Sequence, residues 1–535
     1  MATSRSTIEV DRTVAARAGA SAGQERVSLE SFVGLHAAKI VWALAVLAAF
    51  RILILAMAFP LSNQVDERYH LATIQMYAQG RLPGRELPYI DPESSRTLLL
   101  YWSPELGSSQ QQMARSDVVG PLYSLSPEAR QISLDRDYYR KKLEQWSRRP
   151  NYEAQSAPLY YLVAAGWYKM GSAVGMRDWL LDYWPRFLNP IFYALLVWTS
   201  YLFASKVYPE RTFLKLAVPG LVAVIPQDVF YGMNRDVLSA PLSAVALLLL
   251  VQLADNDRES FGPPILGSFI VGLAFLTSVS NVVLFGPLFI SLSLWVRRST
   301  RSLQQRVGIA MAGIGASCLL PFCWMLRNYL VMGDLTGGRA KTKDFGWTVN
   351  SLREISRHPL FTWHGLSYFL VTLARSFWRG EYSWHGLAMR SVVADGFYVI
   401  SSMLLVCLFV LTFVWRRRGL AFLQELAGFE ALFVCASYGL FLAALSLIFD
   451  FHDCAYPSRA YPYFVSGRII SGAILPFAVI YASGLELAAS VFRKWISPLA
   501  VLACLLLAIT VSEITVRSVV FSSPYNFFAL AGWRH

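Results

Sequence analysis

Residues 37–80 read AAKIVWALAVLAAFRILILAMAFPLSNQVDERYHLATIQMYAQG, an apolar run followed directly by a polar segment. About 20 predominantly apolar residues are enough to cross a bilayer as an α-helix. The polar segment then places two adjacent carboxylates, Asp66 and Glu67, close to the expected membrane surface, with His70 just behind them. The stretch predicts a membrane-anchored chain and raises the question of why acidic residues stand at that boundary.

The rest of the chain continues the apolar pattern. Hydrophobic residues make up 55% of its 535 residues, aromatic residues 14% and charged residues only 16%. Long apolar runs in such a composition predict an all-α polytopic membrane protein. We expect about eleven transmembrane helices, at 37–60, 185–205, 213–232, 237–254, 264–280, 282–296, 307–330, 392–415, 428–449, 469–492 and 496–516.

The basic residues fit a membrane protein better than a nucleic-acid-binding protein. The formal net charge is +13, but Arg and Lys concentrate in short segments between apolar runs, as in cytoplasmic loops. We therefore expect the lipid bilayer, and no nucleic acid, as a partner. Of the six cysteines, five lie inside apolar runs, so the sequence predicts neither a disulfide framework nor a cysteine metal site.

The positive charges also predict the orientation. The clusters in the short loops should be cytoplasmic, together with the N-terminus; they are Lys206/Arg211/Lys215, Arg297/Arg298/Arg301/Arg306, Arg416/Arg417/Arg418 and Arg493/Lys494. All fall on one side only if the amphipathic stretch 157–176 does not cross. We expect that stretch to be an interfacial or re-entrant helix on the outer face of the plasma (inner) membrane.

This topology divides the chain into five parts. Residues 1–36 are polar and small, which predicts a disordered cytosolic tail. Residues 37–330 form a transmembrane module that includes a long first outer loop at 61–184. A second outer loop at 331–391, C-terminal transmembrane helices at 392–516 and a short outer tail at 517–535 follow. Long loops are usually functional, so we expect the working surface on the outer face.

Several polar groups should meet on that face. Besides the first acidic pair, we expect there Asn234, Arg235 and Asp236, and Asn328 and Asp334. Arg327 closes one span and Arg468 opens another, against the preference for positive charge inside. An Arg fork suits bidentate binding of phosphate oxygens. These two arginines could therefore bind a phosphate group at the membrane boundary, or snorkel to the headgroups.

Five segments occur in a recognisable order. They are VDERYH (65–70), NYEAQSAPLYYLVAAGWY (151–168), the Asn-Arg-Asp of 234–236, WMLRNYLVMGDLTG (324–337) and SGRIISGAILP (466–476). Together, over residues 37–490, they resemble the GT-C superfamily. Its members are multispanning glycosyltransferases that use polyprenyl-phosphate-linked sugars, including protein mannosyltransferases and lipid A aminoarabinose transferases.

The resemblance implies an inverting glycosyltransferase with a GT-C-like fold, a polyprenyl-phosphate sugar donor and a glycan, lipid or protein acceptor of the cell envelope. It implies catalytic roles for Asp66, Glu67 and Asp236, of which Asp66 would be the general base or lie beside the acceptor. With a polyprenyl-phosphate donor, Arg327 and Arg468 are the residues expected to bind its lipid-linked phosphate. Candidates for substrate binding are His70, Tyr160, Asn234, Arg235, Asn328 and Asp334.

The residue types leave other interpretations open. A carboxylate could take the proton of an acceptor hydroxyl, or a carboxylate pair could hold a divalent cation. Asp66 and Glu67 could also be solvated loop residues, and Asn234 to Asp236 could cap the following helix. A transporter or flippase of a lipid-linked or envelope precursor is the competing function. Arg51, inside the first span, could belong to a packing pair or could snorkel.

Overall fold

The computed structural model describes residues 33–63, 65–90, 92–115, 120–255, 262–416, 419–454, 456–492 and 495–533. The architecture is that of an all-α polytopic membrane protein, as predicted. Within the described ranges, nine helices are long and apolar enough to span a membrane. They are Val33–Ala58, Asp178–Val207, Asp236–Asp255, Val279–Arg298, Leu303–Met332, Val392–Arg416, Phe422–Ile448, Gly467–Val491 and Pro498–Leu530.

The helices are numbered here in chain order, and several spans comprise more than one of them. The α-helices are α1 Val33–Ala58, α2 Glu67–Ala78, α3 Pro92–Tyr101, α4 Gln110–Arg115, α5 Pro127–Leu134, α6 Asp137–Arg148, α7 Leu159–Ala173, α8 Asp178–Tyr183, α9 Asn189–Val207, α10 Thr212–Val224, α11 Asp236–Asp255, α12 Gly262–Phe275, α13 Phe285–Arg298, α14 Leu303–Met332, α15 Gly338–Asp344, α16 Leu352–Ser356, α17 Trp363–Arg379, α18 Val392–Arg416, α19 Phe422–Ile448, α20 Ile474–Val491, α21 Pro498–Arg517 and α22 Phe527–Leu530.

The remaining two of the eleven predicted spans are short helices. Helix α12 corresponds to the predicted span 264–280, and α10 to the predicted span 213–232. The second of these predictions is wrong beyond Val224, where the helix ends. Pro226 follows two residues later, and the residue before a proline is disfavoured in the helical region; Ile225 accordingly has the extended ψ of 123°.

Between α10 and α11 the chain forms only one short 3-10 helix, Asp228–Tyr231, and side-chain hydrogen bonds tie this segment to its neighbours. The Asn189 side chain donates to the carbonyls of Phe230 and Gly232 at 2.9 and 2.8 Å. Gln227 donates to the carbonyls of Ser376 and Phe377 at 2.9 and 2.8 Å. Irregular backbone at membrane depth is tolerated when protein groups satisfy it, so this segment can stay unwound.

Arg51 explains how the break in α10 is stabilised. Its guanidinium donates to the carbonyls of Val224 and Ile225, at 3.3 and 3.2 Å, where the helix ends. Glu513 from α21 pairs with it at 2.5 Å, and both side chains are largely buried. Of the two roles open to Arg51, the structure shows the packing pair.

The segment predicted as the first outer loop, 61–184, is folded rather than extended. Helix α7 lies within the predicted helix 157–176 and packs against α2. Its buried face includes Tyr160, Tyr161 and Ala164. Its place at the membrane interface stays a prediction.

Short antiparallel strands connect the outer segments. They are β1 Thr348–Val349, β2 Ser383–Trp384, β3 Leu387–Ala388 and β4 Phe449–Asp450. β1 pairs with β4, with Thr348 opposite Asp450, and β2 pairs with β3. The first pairing ties the second outer loop to the segment that precedes Gly467.

The structure changes the predictions for both ends of the chain. Helix α1 begins at Val33, inside the tail predicted at 1–36, and residues 1–32 lie outside the described residues. In the predicted C-terminal tail, α22 packs on the first outer loop, because Phe527 meets the ring of Tyr183 edge-on at 5.4 Å. Arg417, Arg418, Arg493 and Lys494, from the predicted cytoplasmic clusters, also lie outside the described residues.

Candidate functional site

Asp66 has an unusual backbone conformation that frees its side chain. It stands at the start of α2 with φ 65° and ψ 9°, in the left-handed region, and makes no side-chain capping bond. That region costs most non-glycine residues roughly 1–2 kcal/mol, although Asp tolerates it better than most. The carboxylate therefore points away from its own helix, where Tyr152 donates to one oxygen and Arg468 lies 3.3 Å from the other.

Arg468 lies between three carboxylates that come from distant parts of the chain. Its nitrogens are 3.3 Å from Asp66, 3.5 Å from Asp236 and 3.5 Å from Glu381. The arginine follows Gly467 at the start of a span, Asp236 opens α11, and Glu381 follows α17. We call these four residues the Arg468 cluster.

The Arg468 cluster has unused hydrogen-bonding capacity. Asp236 is 1% exposed, and neither of its carboxylate oxygens accepts a hydrogen bond from a described residue. The Nε of Arg468 is likewise buried without a hydrogen-bond partner among them. Buried polar atoms are nearly always hydrogen-bonded, so the cluster has room to bind another polar group.

Asn234 and Arg235 do different things. The Asn234 side chain accepts a hydrogen bond from the Asp236 amide at 2.9 Å, which caps α11 as the alternative interpretation held. The Arg235 guanidinium lies 3.4 Å from Glu153, and Lys341 of α15 lies 2.5 Å from the same carboxylate. Burial disfavours the Glu153 carboxylate, but these two cations outweigh it and hold its pKa well below the usual range.

His70 is linked to the Glu153 carboxylate through Tyr161. Its Nδ1 lies 2.7 Å from the Tyr161 hydroxyl, which in turn donates to Glu153 at 3.3 Å. Its Nε2 is buried without a hydrogen-bond partner among the described residues. Burial lowers the pKa of His70 to about 4, so the imidazole is neutral at pH 7. Tyr160, next to Tyr161 on α7, is fully buried, and burial raises its pKa.

The depressed pKa of His70 predicts a pH dependence of stability. Because the unfolded chain binds this proton near pH 6.5 and the folded chain only near pH 4, the free energy of unfolding should fall as the pH drops through that window. The loss should reach about 2 kcal/mol at pH 5. In thermal unfolding in detergent, His70→Gln should show a smaller difference between pH 7.5 and pH 5 than the wild type. The exposed His364, changed to Gln, is the matched control, and equal pH dependence of all three proteins would refute the assignment.

Glu67 is structurally separate from its neighbour Asp66. Its carboxylate and the guanidinium of Arg186 are both fully buried and form a two-pronged pair, with both N–O distances 2.6 Å. The backbone amides of Asn63 and Met233 also donate hydrogen bonds to the Glu67 carboxylate, at 3.0 and 2.9 Å. With all these contacts and no exposed surface, Glu67 is not placed to touch a substrate, contrary to the catalytic role expected for it.

Arg327, Asn328 and Asp334 hold a turn instead of entering the cluster. The Arg327 guanidinium donates to the Pro83 carbonyl and, at 3.2 Å, to the side chain of Asn328. Asn328 donates to the Leu335 carbonyl at 3.4 Å, and Asp334 accepts from the Arg339 amide at 2.8 Å. These contacts orient α15, the helix that carries Lys341.

Comparison with known proteins gives a match in three-dimensional structure but none in sequence. No protein-family model matches the sequence, and no curated protein is significantly similar to it. The structure is similar to the crystal structure of the Archaeoglobus fulgidus oligosaccharyltransferase in the apo form, with a TM-score of 0.45 and 11% sequence identity. The match covers 92% of this chain and 56% of that chain, so this chain spans little more than half of its length. No residue role or activity follows from a match at that level.

Sequence reasoning missed four residues of the site. Tyr152 and Glu153 lie within the segment NYEAQ, shortly before α7. Nothing in the sequence distinguishes these two residues from other loop residues. Glu381 and Lys341 lie in the second outer loop. The Asp228 carboxylate accepts hydrogen bonds from the backbone amides of Glu381 and Tyr382, at 2.8 and 2.7 Å, and so holds Glu381 near Arg468. No sequence pattern indicates this contact.

The arrangement does not fit the divalent cation that the carboxylates had suggested. Within the described ranges, no three His, Cys, Asp or Glu side chains are grouped so that they could hold a metal ion. The three carboxylates of the Arg468 cluster instead surround a guanidinium.

Proposed function

We propose that this protein is a membrane glycosyltransferase of the GT-C type. It transfers a sugar from a polyprenyl-phosphate donor to a glycan, lipid or protein acceptor of the envelope, on the non-cytoplasmic face of the plasma membrane. The observation that carries this proposal is the Arg468 cluster: a carboxylate on a left-handed residue, Asp66, lies beside a cation that can bind phosphate. The ordered segments of the sequence support the same function.

The proposed reaction is a displacement at the anomeric carbon. The acceptor oxygen or nitrogen attacks that carbon, its proton passes to the Asp66 carboxylate, and the bond to the phosphate oxygen breaks. The electron pair leaves with the polyprenyl phosphate, and the anomeric configuration inverts. A positioned carboxylate base contributes typically 10²–10⁴-fold to such a rate.

The other members of the cluster would act on the donor and on Asp66. The Arg468 guanidinium holds the departing phosphate and stabilises the charge that grows on it. Tyr152 fixes the orientation of the Asp66 carboxylate through its hydroxyl. Asp236, whose two carboxylate oxygens accept no hydrogen bond from the described residues, would accept hydrogen bonds from hydroxyl groups of the sugar.

Two predicted roles change in this proposal. Glu67 becomes a positioning residue, because its ion pair with Arg186 fixes the chain immediately before and after Asp66. Arg327, whose guanidinium binds the Pro83 carbonyl, orients the second outer loop and does not bind the donor phosphate.

The decisive experiment supplies the purified protein with polyprenyl-phosphate sugars and candidate acceptors. Mass spectrometry should detect a glycosylated acceptor together with released carrier phosphate. A flippase would move the labelled lipid between leaflets of a vesicle without forming a glycosidic bond, so leaflet movement alone would refute the enzymatic proposal.

Substitution of Arg468 should weaken donor binding selectively. We expect Arg468→Ala to weaken polyprenyl-phosphate binding by roughly 10–100-fold, because a hydrogen bond to a charged group contributes about 1.5–3 kcal/mol. Arg468→Lys should recover only part of the affinity for polyprenyl phosphate, since an ammonium group lacks the planar fork of a guanidinium. Carrier binding and turnover are measured for each purified variant.

Arg327→Ala is the matched control for this test. It removes an arginine from the same predicted membrane boundary but from outside the cluster, so carrier affinity should stay close to that of the wild type. Unchanged affinity in Arg468→Ala, or equal losses in both variants, would remove Arg468 from its proposed role.

A further inference from the structure

A mostly apolar cavity with two arginines in its lining lies near the end of the Gly467–Val491 span that is far from Arg468. It has a volume of about 130 Å³ and is lined by residues near the start of α10, the end of α18, the start of α19 and the second half of α20. The lining residues are Tyr208, Arg211, Phe409, Thr412, Phe413, Arg416, Leu420, Gln424, Ser483 and Leu487. The Arg468 cluster lies where α11 begins and α10 ends, so this cavity is a separate site.

Two arginines line the cavity, and Arg416 is the one whose positive charge no carboxylate of the described residues compensates. Arg211 precedes α10 and Arg416 ends α18, and no carboxylate lines the space between them. Arg211 forms an ion pair with Glu486, and both side chains also line a neighbouring cavity. Among the described residues, no carboxylate lies within ion-pair distance of Arg416.

The remaining lining divides into polar and apolar parts. Thr412, Gln424 and Ser483 offer hydroxyl and amide groups beside the two guanidinium groups, whereas Phe409 and Phe413 are apolar. The volume is far above the roughly 10–15 Å³ that a single water requires. Such a cavity suits a group that is anionic, rich in oxygen acceptors and attached to an apolar body.

We propose that this cavity binds a phosphate group, supplied by the headgroup of an anionic phospholipid in the adjacent leaflet. Arg forks bind phosphate oxygens bidentately, and basic pockets between transmembrane helices on the cytoplasmic side are typical sites for anionic headgroups. The predicted orientation places the cavity on that side. The proposal is independent of the proposed sugar transfer.

The test measures lipid retention by the full-length protein. The protein is purified in phosphatidylcholine nanodiscs with and without phosphatidylglycerol. It is then released from the nanodiscs into the gas phase, and native mass spectrometry counts the anionic lipids that stay bound. We expect one tightly retained phosphatidylglycerol in the wild type. Its affinity should fall at least tenfold, or about 1.4 kcal/mol, in Arg416→Gln, and Arg416→Lys should retain part of it.

Controls separate the cavity from general surface charge and from soluble phosphate. Arg297 is exposed at the end of α13, outside the cavity, and Arg297→Gln should leave retention unchanged. Millimolar inorganic phosphate should not displace the lipid; displacement would assign the cavity to a soluble phosphate compound and overturn the lipid source. Wild-type retention in both Arg416→Gln and Arg211→Gln, or equal losses in Arg297→Gln, would overturn the site itself.

Discussion

Asp66→Asn is expected to lower the rate of sugar transfer by roughly 10²–10⁴-fold, the typical contribution of a positioned general base. Asn keeps the shape of the side chain and its hydrogen bond with Tyr152, but it cannot take the acceptor proton. Turnover is measured with saturating donor and acceptor, beside carrier binding and the midpoint of thermal unfolding. The loss should appear in turnover while both other quantities stay near those of the wild type.

The matched control for this variant is Asp135→Asn. Asp135 is an exposed carboxylate of the same outer loop, so its neutralisation should leave turnover unchanged. Full activity in Asp66→Asn would return Asp66 to the group of ordinary loop residues. Loss of folding in Asp66→Asn, with turnover falling only in proportion, would make its role structural.

Glu67→Gln is expected to have the opposite profile, with a large loss of stability. Arg186 is fully buried and donates to the carbonyls of Ala56 and Pro60 at 2.8 Å as well as to Glu67. Breaking a buried ion pair by neutralising one partner typically costs about 3–5 kcal/mol, because the other charge stays buried without compensation. Thermal unfolding in detergent, followed by tryptophan fluorescence, measures this loss.

Asp137→Asn is the control for the stability experiment. Asp137 also has a basic partner, since Lys141 lies 2.6 Å away, but both side chains are exposed to solvent. Exposed pairs contribute little, so the unfolding midpoint should barely move. If Glu67→Gln is as stable as Asp137→Asn yet inactive, Glu67 belongs to the catalytic machinery and the positioning role is wrong.

Several features of this protein follow from the sequence alone. Within the part of the chain that the structure describes, nine of the eleven predicted spans were found as long apolar helices, because a bilayer admits a long, predominantly apolar run only as a helix with internally paired backbone. The amphipathic helix α7 and the Asn234 cap of α11 were also visible, because helix periodicity and capping depend on residues close together in the chain. Asp66 and Arg468 were indicated by the same local reasoning, since each stands unexpectedly at a span end.

The tertiary structure alone decided the roles of adjacent or distant side chains. Asp66 and Glu67 look equivalent in sequence, yet the left-handed conformation of Asp66 turns its carboxylate toward Arg468, while Glu67 turns into the fold toward Arg186. Glu381 joins Arg468 from nearly ninety positions away, a distance in sequence that no local pattern spans. Charge pairing across a bundle depends on which helices become neighbours, and that is fixed by packing over the whole chain.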